Sequence, residues 1–307
     1  MRIFKRKLYD KLLEWKNNRH GKTAVLIEGA RRVGKSTLTK QFAENEYESY
    51  VMIDFSIVRD DVLELFNHID DLDYFFLQLQ FRLGVSLKER KSLVIFDEVQ
   101  KCPKARQAIK HLVADGRYDY IETGSLISIK KNVKDILIPS EEEKLFLYPM
   151  DYEEFKWALG DNTAIPQLRM LFDKKLSIGD AVTRKLMRDF RIYMVVGGMP
   201  QAVDTYIDTN NLMEVDRVKR NIIQLYEDDF YKIDSSGRLS MLFDAIPAQL
   251  NSNASRYQVA SAIGSNTNSD KILQLISELR ESMTINMAYH ANDPGVGMSL
   301  VMNLNKY

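Results

Sequence analysis

Residues 29–36 read GARRVGKS, two glycines five positions apart with a lysine and a hydroxyl directly after the second. This G-x-x-x-x-G-K-[ST] pattern constrains the fold more than any other stretch. Such a loop curls successive backbone N–H groups around a phosphate, and glycine permits the positive φ values and close approach that the curl needs. The loop must follow a strand and open a helix, because the helix N-terminus faces the anion. The flanks comply. Residues 23–29 (TAVLIEG) form a short apolar run, and residues 36–44 (STLTKQFAE) have helical spacing. Gly29, Ala30, Arg31, Arg32, Val33, Gly34, Lys35, Ser36 and Thr37 are therefore expected around a nucleotide's phosphates. Lys35 would reach the β- and γ-phosphates, and Ser36 would ligate Mg²⁺.

A loop of this kind needs a sheet behind it, and the sequence supplies one. Apolar runs at 50–56 (YVMIDFS), 91–100 (KSLVIFDEVQ), 118–125 (YDYIETGS) and 144–150 (KLFLYPM) join the run at 23–29. Helical patterns at 4–18, 36–44, 61–83 and 105–116 separate them. Strands alternating with helices predict an α/β fold, a P-loop NTPase core with a parallel five-stranded sheet over residues 1–150. After Pro149 the character changes. Residues 151–235 read as helices, interrupted by VGGMP at 196–200, and form a helical lid. Beyond SSGR at 235–238 come helical stretches at 239–250, 256–263 and 268–281, then two strand-like runs about Pro294-Gly295. That order makes residues 236–307 a winged-helix-like domain.

The second half of the site follows from LVIFDEVQ. Asp97 ends an apolar strand, where its side chain emerges at the carboxyl edge beside the loop. It would hold Mg²⁺ through water. Glu98 is placed to activate a water for attack on the γ-phosphate. In YIETGS, Thr123 or Ser125 could bond the attacking water or the γ-phosphate, with Ser125 preferred, and Gly124 keeps the backbone close. The catalytic set is thus Glu98, Lys35 and Ser125, and the metal set Ser36 and Asp97. An arginine finger is to be sought among Arg31, Arg32, Lys101, Lys104, Arg106, Arg117, Arg188 and Arg191, none singled out.

Several classes are disfavoured. Lys plus Arg and Asp plus Glu number 43 each, so no global field draws the 307-residue chain to nucleic acid or membrane. The single cysteine, Cys102, excludes an internal disulfide and fits a reducing compartment. No histidine is positioned to activate it, and the four histidines lack metal-ligand spacing. The basic N-terminus has no continuous apolar core, and no run approaches the roughly 18 apolar residues of a membrane span. A cytoplasmic protein without a membrane partner is expected. Acids in YEDDFYKID read as a solvated helix face.

GARRVGKST, FDEVQKCPKARQAIK, TGSLIS, LYPMDYEEF and VGGMPQAV, in that order, resemble a group of AAA-type ATPases widespread in bacteria and archaea. The group is related to the STAND and origin-recognition branches of the AAA+ class. The resemblance runs from about residue 5 to the C-terminus. It implies an ATP-binding, ATP-hydrolysing core, a helical lid and a winged helix. VGGMPQAV resembles the glycine-x-proline lid motif, in which the proline packs on adenine, so Pro200 would touch the base while Gly197 and Gly198 allow close approach. The segment around Arg6 to Tyr9 would cover the other side. Two features depart. Residues 132–144 (NVKDILIPSEEEK) stand where many relatives carry Leu-x-Gly-Arg, which puts a finger from that place in doubt. Relatives usually continue into a domain likened to restriction-type nucleases, so a truncated C-terminus is expected here.

Three functions compete. The first is a Mg²⁺-dependent ATPase that acts as a slow nucleotide-driven switch, with ATP and ADP as ligands and a protein or DNA partner at the C-terminal domain. The second is a nucleic-acid- or protein-binding winged helix with structural nucleotide. Its recognition helix, SDKILQLISELRES, carries Lys271 and Arg280 against Asp270, Glu278 and Glu281, a poor phosphate-binding face. The third, a small-molecule kinase, lacks a clear arginine-bearing lid. No guanine-reading Asn-Lys-x-Asp is present, which leans toward ATP. Oligomeric state is open.

Overall fold

Five parallel strands form one sheet: β1 (Ala24–Glu28), β2 (Ser49–Asp54), β3 (Ser92–Asp97), β4 (Asp119–Gly124) and β5 (Glu142–Phe146), in the order β2-β3-β4-β1-β5. The computed structural model describes residues 2–124, 141–252, 257–264 and 268–288. Every residue of β1, β3 and β4 is buried, as expected of strands covered on both faces. On one face Leu26, Val94, Phe96 and Tyr120 pack with Phe75, Phe76 and Leu79 of α4 (Leu72–Leu83) and Ala108, Ile109 and Leu112 of α5 (Pro103–Asp115). On the other, Val25, Ile27, Ile95 and Ile121 pack with Leu8, Leu12 and Trp15 of α1 (Lys7–Arg19) and Leu38 and Phe42 of α2 (Lys35–Glu46). β3, β4 and β1 are neighbours, so the loops that follow them share one edge.

Two boundaries differ from expectation. The helical pattern over 61–83 is two helices, α3 (Asp60–Leu65) and α4. The break comes where Asp71 turns its carboxylate onto the Tyr74 N–H and caps α4, an acceptor role that favours a new N-terminus. The fifth strand covers Glu142–Phe146, earlier than the apolar run at 144–150. Glu142 pairs in register with Ala24, and its carboxylate meets the Arg106 guanidinium of α5 at 3.1 Å, so a buried partner lets an acid enter the sheet. Leu147 still donates its N–H to the Glu28 carbonyl at 2.8 Å, and then Pro149 ends the ladder.

By its contacts the chain divides into two compact units, residues 1–222 and 223–307. In the first, the sheet is followed by α6 (Tyr152–Ala158), α7 (Ala164–Asp173), α8 (Asp180–Val196) and α9 (Pro200–Thr209), and α10 (Leu212–Ile233) begins there. Asp151 and Glu154 form a reciprocal capping box at the start of α6. Phe4, Met150, Phe155, Val196, Ala202, Val203 and Val215 make a separate apolar cluster among these helices. Gly197 and Gly198 stop α8, and Pro200 opens α9 at a first-turn position that needs no N–H.

The second unit contains α11 (Arg238–Asp244), α12 (Ile246–Asn251), α13 (Val259–Ile263) and α14 (Ser269–Glu281). The stretch expected as one helix over 239–250 is broken at Ala245, just before Pro247. The Tyr257 hydroxyl donates to the Leu242 carbonyl at 2.6 Å, and Asp234 accepts from the Ser236 hydroxyl and the Leu239 N–H. Residues 282–288 form no strand, and the rest of the expected hairpin, 289–307, lies outside the described residues. Among the described residues no helix is long and apolar enough to cross a membrane.

Candidate nucleotide-binding site

The loop after β1 takes the shape its residues dictate. Gly34 sits at φ 100° and Arg32 at φ 67°, both in the left-handed region, so the backbone reverses before α2. Gly29 has no room for a side chain, since a Cβ there would lie 2.3 Å from the Leu147 carbonyl oxygen. Lys35 is buried, and its Nζ donates to the carbonyls of Gly29 and Ala30, each at 3.0 Å. Burial pushes its ammonium pKa down, with Glu98 and Asp97 opposing that shift. The amine thus closes the loop on itself from inside.

The ends of β3 and β4 meet this loop. Ser36 Oγ donates to Asp97 Oδ1 at 2.9 Å, and the Thr123 hydroxyl donates to the same oxygen. Asp97 is almost fully buried. A hydroxyl and a carboxylate at hydrogen-bond distance are two hard oxygen donors of the kind Mg²⁺ takes, so this pair fits the ion. Glu98 follows with φ 55° and ψ 44°, a conformation uncommon for a non-glycine residue and typical of sites held under strain. Its carboxylate accepts from the Gln100 side-chain amide. Thr123, the less favoured of the two expected sensors, is therefore bonded to Asp97. Ser125 lies outside the described residues.

Beside the loop is a cleft lined by Phe4, Arg6, Gly34, Thr37, Gln41 and Pro200 among others. Pro200 Cγ comes within 3.6 Å of where a Gly34 Cβ would be. The VGGMP segment is held there through Met150. Met150 N–H donates to the Gly198 carbonyl at 2.7 Å, and the Tyr193 hydroxyl donates to the Met150 carbonyl at 2.9 Å. The structure thus brings Pro200 to the P-loop, and Arg6 with it. Of the Arg6 to Tyr9 segment expected to cover the base, Arg6 lines this cleft.

Several basic residues proposed as fingers are otherwise engaged. Arg106 is buried against Glu142, the reverse of a reaching side chain. Arg117 pairs with Asp73 and Asp115 and lies over the Phe76 ring. Lys104 donates to Asn67, and Arg188 is exposed, 3.7 Å from Asp189. Cys102 is buried at the start of α5, and burial pushes its thiol pKa up, which disfavours the thiolate.

Residues 21–156 match the family model described as an AAA domain, and residues 187–306 match a domain of unknown function, DUF8612. No curated protein sequence matches the chain. Among solved structures, the Walker-type ATPase PABY2304 of Pyrococcus abyssi is similar at 16% identity, covering 91% of this chain and 90% of that one, with a TM-score of 0.55. AMPPCP-bound DnaA from Aquifex aeolicus matches at 12% identity over 90% of this chain and 88% of that one, TM-score 0.38. The Aeropyrum pernix ORC1 protein in complex with DNA matches at 11% identity over 96% and 87%, TM-score 0.36. The first of these likenesses supports the fold, and the other two are too loose to add to it. The loop, the order of the strands and the matched model agree: residues 21–156 fold as a P-loop domain similar to AAA domains.

Proposed function

We propose that the protein binds Mg-ATP and hydrolyses it slowly, using the cycle as a conformational switch. The observation that carries this reading is the convergence of Lys35, Ser36, Asp97 and Glu98 at one edge of three adjacent strands. In this reading the backbone of residues 29–37 cradles the phosphates. Lys35 exchanges its two carbonyl partners for phosphate oxygens, which restores the solvation that burial removes. Ser36 and Asp97 would hold Mg²⁺, which when bound neutralises charge on the β- and γ-phosphates.

Glu98, steered by Gln100, takes a proton from a water as that water attacks the γ-phosphorus. The new P–O bond forms as the bond to the bridging oxygen breaks, and ADP leaves with that electron pair. Pro200 packs on the adenine face, so the base links the core to the helices after Met150. The division into core (1–150), lid (151–235) and C-terminal domain (236–307) is part of this proposal. The C-terminal domain carries the output, toward a protein partner rather than a duplex. α14 places Lys271 and Arg280 among Asp270, Glu278 and Glu281, which disfavours phosphate binding. Titration with Mg-ATP and ADP, with phosphate release followed in parallel, tests the reading. Absence of nucleotide binding contradicts it.

A further inference from the structure

The Arg6 guanidinium makes three contacts that no local motif foretells. One Nη donates to the Val33 carbonyl at 2.9 Å, and the other to the Tyr148 carbonyl at 2.5 Å. Nε lies 3.2 Å from Glu154 Oε1, an ion pair without a hydrogen bond, whose side chains are each 6% exposed. Glu154 is also the third helical residue of the α6 capping box and accepts from the Lys7 N–H at 2.7 Å. One planar fork therefore joins the P-loop, the linker after β5 and the first lid helix. Arginine suits the position because its fork holds the two carbonyls in fixed directions while its charge pairs with Glu154, which an ammonium on a flexible stem does not do.

The contact with Val33 has a consequence for the loop. The Val33–Gly34 peptide is planar and trans, so its carbonyl and the Gly34 N–H point in opposite directions. Holding the carbonyl toward Arg6 therefore holds the Gly34 N–H away from it. Gly34 at φ 100° has wide rotational freedom of its own, and without a tether this peptide would flip at little cost.

We propose that Arg6 is a positioning residue for the nucleotide site: it fixes the Val33–Gly34 peptide so that the Gly34 N–H is ready for phosphate, and ties that peptide to the lid through Glu154. This rests on the nucleotide reading above. Arg6 acts on the phosphates through the peptide, so its loss weakens ligands that carry a phosphate chain more than the bare nucleoside, which meets Arg6 only as one wall of the cleft.

The test compares ADP and adenosine, by calorimetry and NMR titration respectively, on wild type, Arg6→Ala and Arg6→Lys. For Arg6→Ala we expect ADP to bind about tenfold or more weaker and adenosine to lose clearly less, the excess being the loss of one charge-assisted hydrogen bond at the phosphate end. Adding methylguanidinium restores part of the ADP affinity, which mere loss of packing would not allow. Arg6→Lys keeps charge and stem but loses the fork. It gives the same phosphate-specific loss and serves if the alanine variant does not fold. Unchanged ADP affinity in a folded variant overturns the inference, as do equal losses for ADP and adenosine. Failure of wild type to bind ADP instead overturns the nucleotide reading itself.

Discussion

Ser36 Oγ stands 2.9 Å from Asp97 Oδ1, although 61 residues separate the two in sequence. Parallel strands bring them together: the loop after β1 and the end of β3 flank the end of β4 at one edge of the sheet. Both Ser36 and Thr123 donate to the same carboxylate oxygen.

Asp97→Asn keeps an oxygen that can accept both hydroxyls and removes the negative charge. The melting temperature should change little, while the strengthening of ATP binding by Mg²⁺ should be lost. Calorimetric titration with Mg²⁺ and with EDTA checks this. Equal Mg²⁺ dependence in wild type and variant would remove Asp97 from the metal site.

Gly198→Ala should destabilise the fold. A Cβ there would lie 2.1 Å from the Met150 carbonyl oxygen and 2.8 Å from its nitrogen, both backbone atoms that cannot swing aside. Overpacking of this kind costs about 1–3 kcal/mol. It would also break the Met150–Gly198 hydrogen bond that holds the VGGMP segment. Thermal melts report the loss, and an unchanged melting temperature would show that this contact does not exist in solution.

Glu122→Gln should flatten the dependence of stability on pH. Burial raises the Glu122 pKa well above the ordinary glutamate value, and the negative charge of Glu142 raises it further, against the Arg106 charge. Between the ordinary value and the raised one, the folded state holds a proton that the unfolded chain has released. Stability therefore falls as pH rises through that window. Glutamine never ionises, so its advantage in melting temperature over wild type should be larger near about pH 8 than near about pH 5. An equal difference at both would contradict the assignment.

The parts of this protein that local chemistry decides were legible in the sequence. The P-loop announces itself because only glycine takes Gly34's backbone, and Asp97 because it ends a run of apolar residues. What the sequence hid depends on partners far along the chain. Glu142 enters β5 only because Arg106 of α5 covers it, so an apolar pattern places the strand two residues late. Arg106 for the same reason is no arginine finger. Asp71 splits the pattern over 61–83 by capping α4, a choice that helical periodicity does not register. The Arg6 to Tyr9 segment is expected beside the base, but nothing in it marks Arg6 as a partner of the P-loop backbone. Its contacts with Val33, Tyr148 and Glu154 appear only in the fold.

The central claim is that this site hydrolyses ATP with Glu98 as the base. Phosphate release from Mg-ATP by wild type and by Glu98→Gln, with nucleotide binding measured alongside, tests it most directly. The account predicts slow turnover by wild type. It predicts that the variant binds ATP as well as wild type and releases phosphate at least about 100-fold more slowly, the scale of a lost general base. Equal rates of release from the two proteins, or no binding of ATP by either, would contradict it.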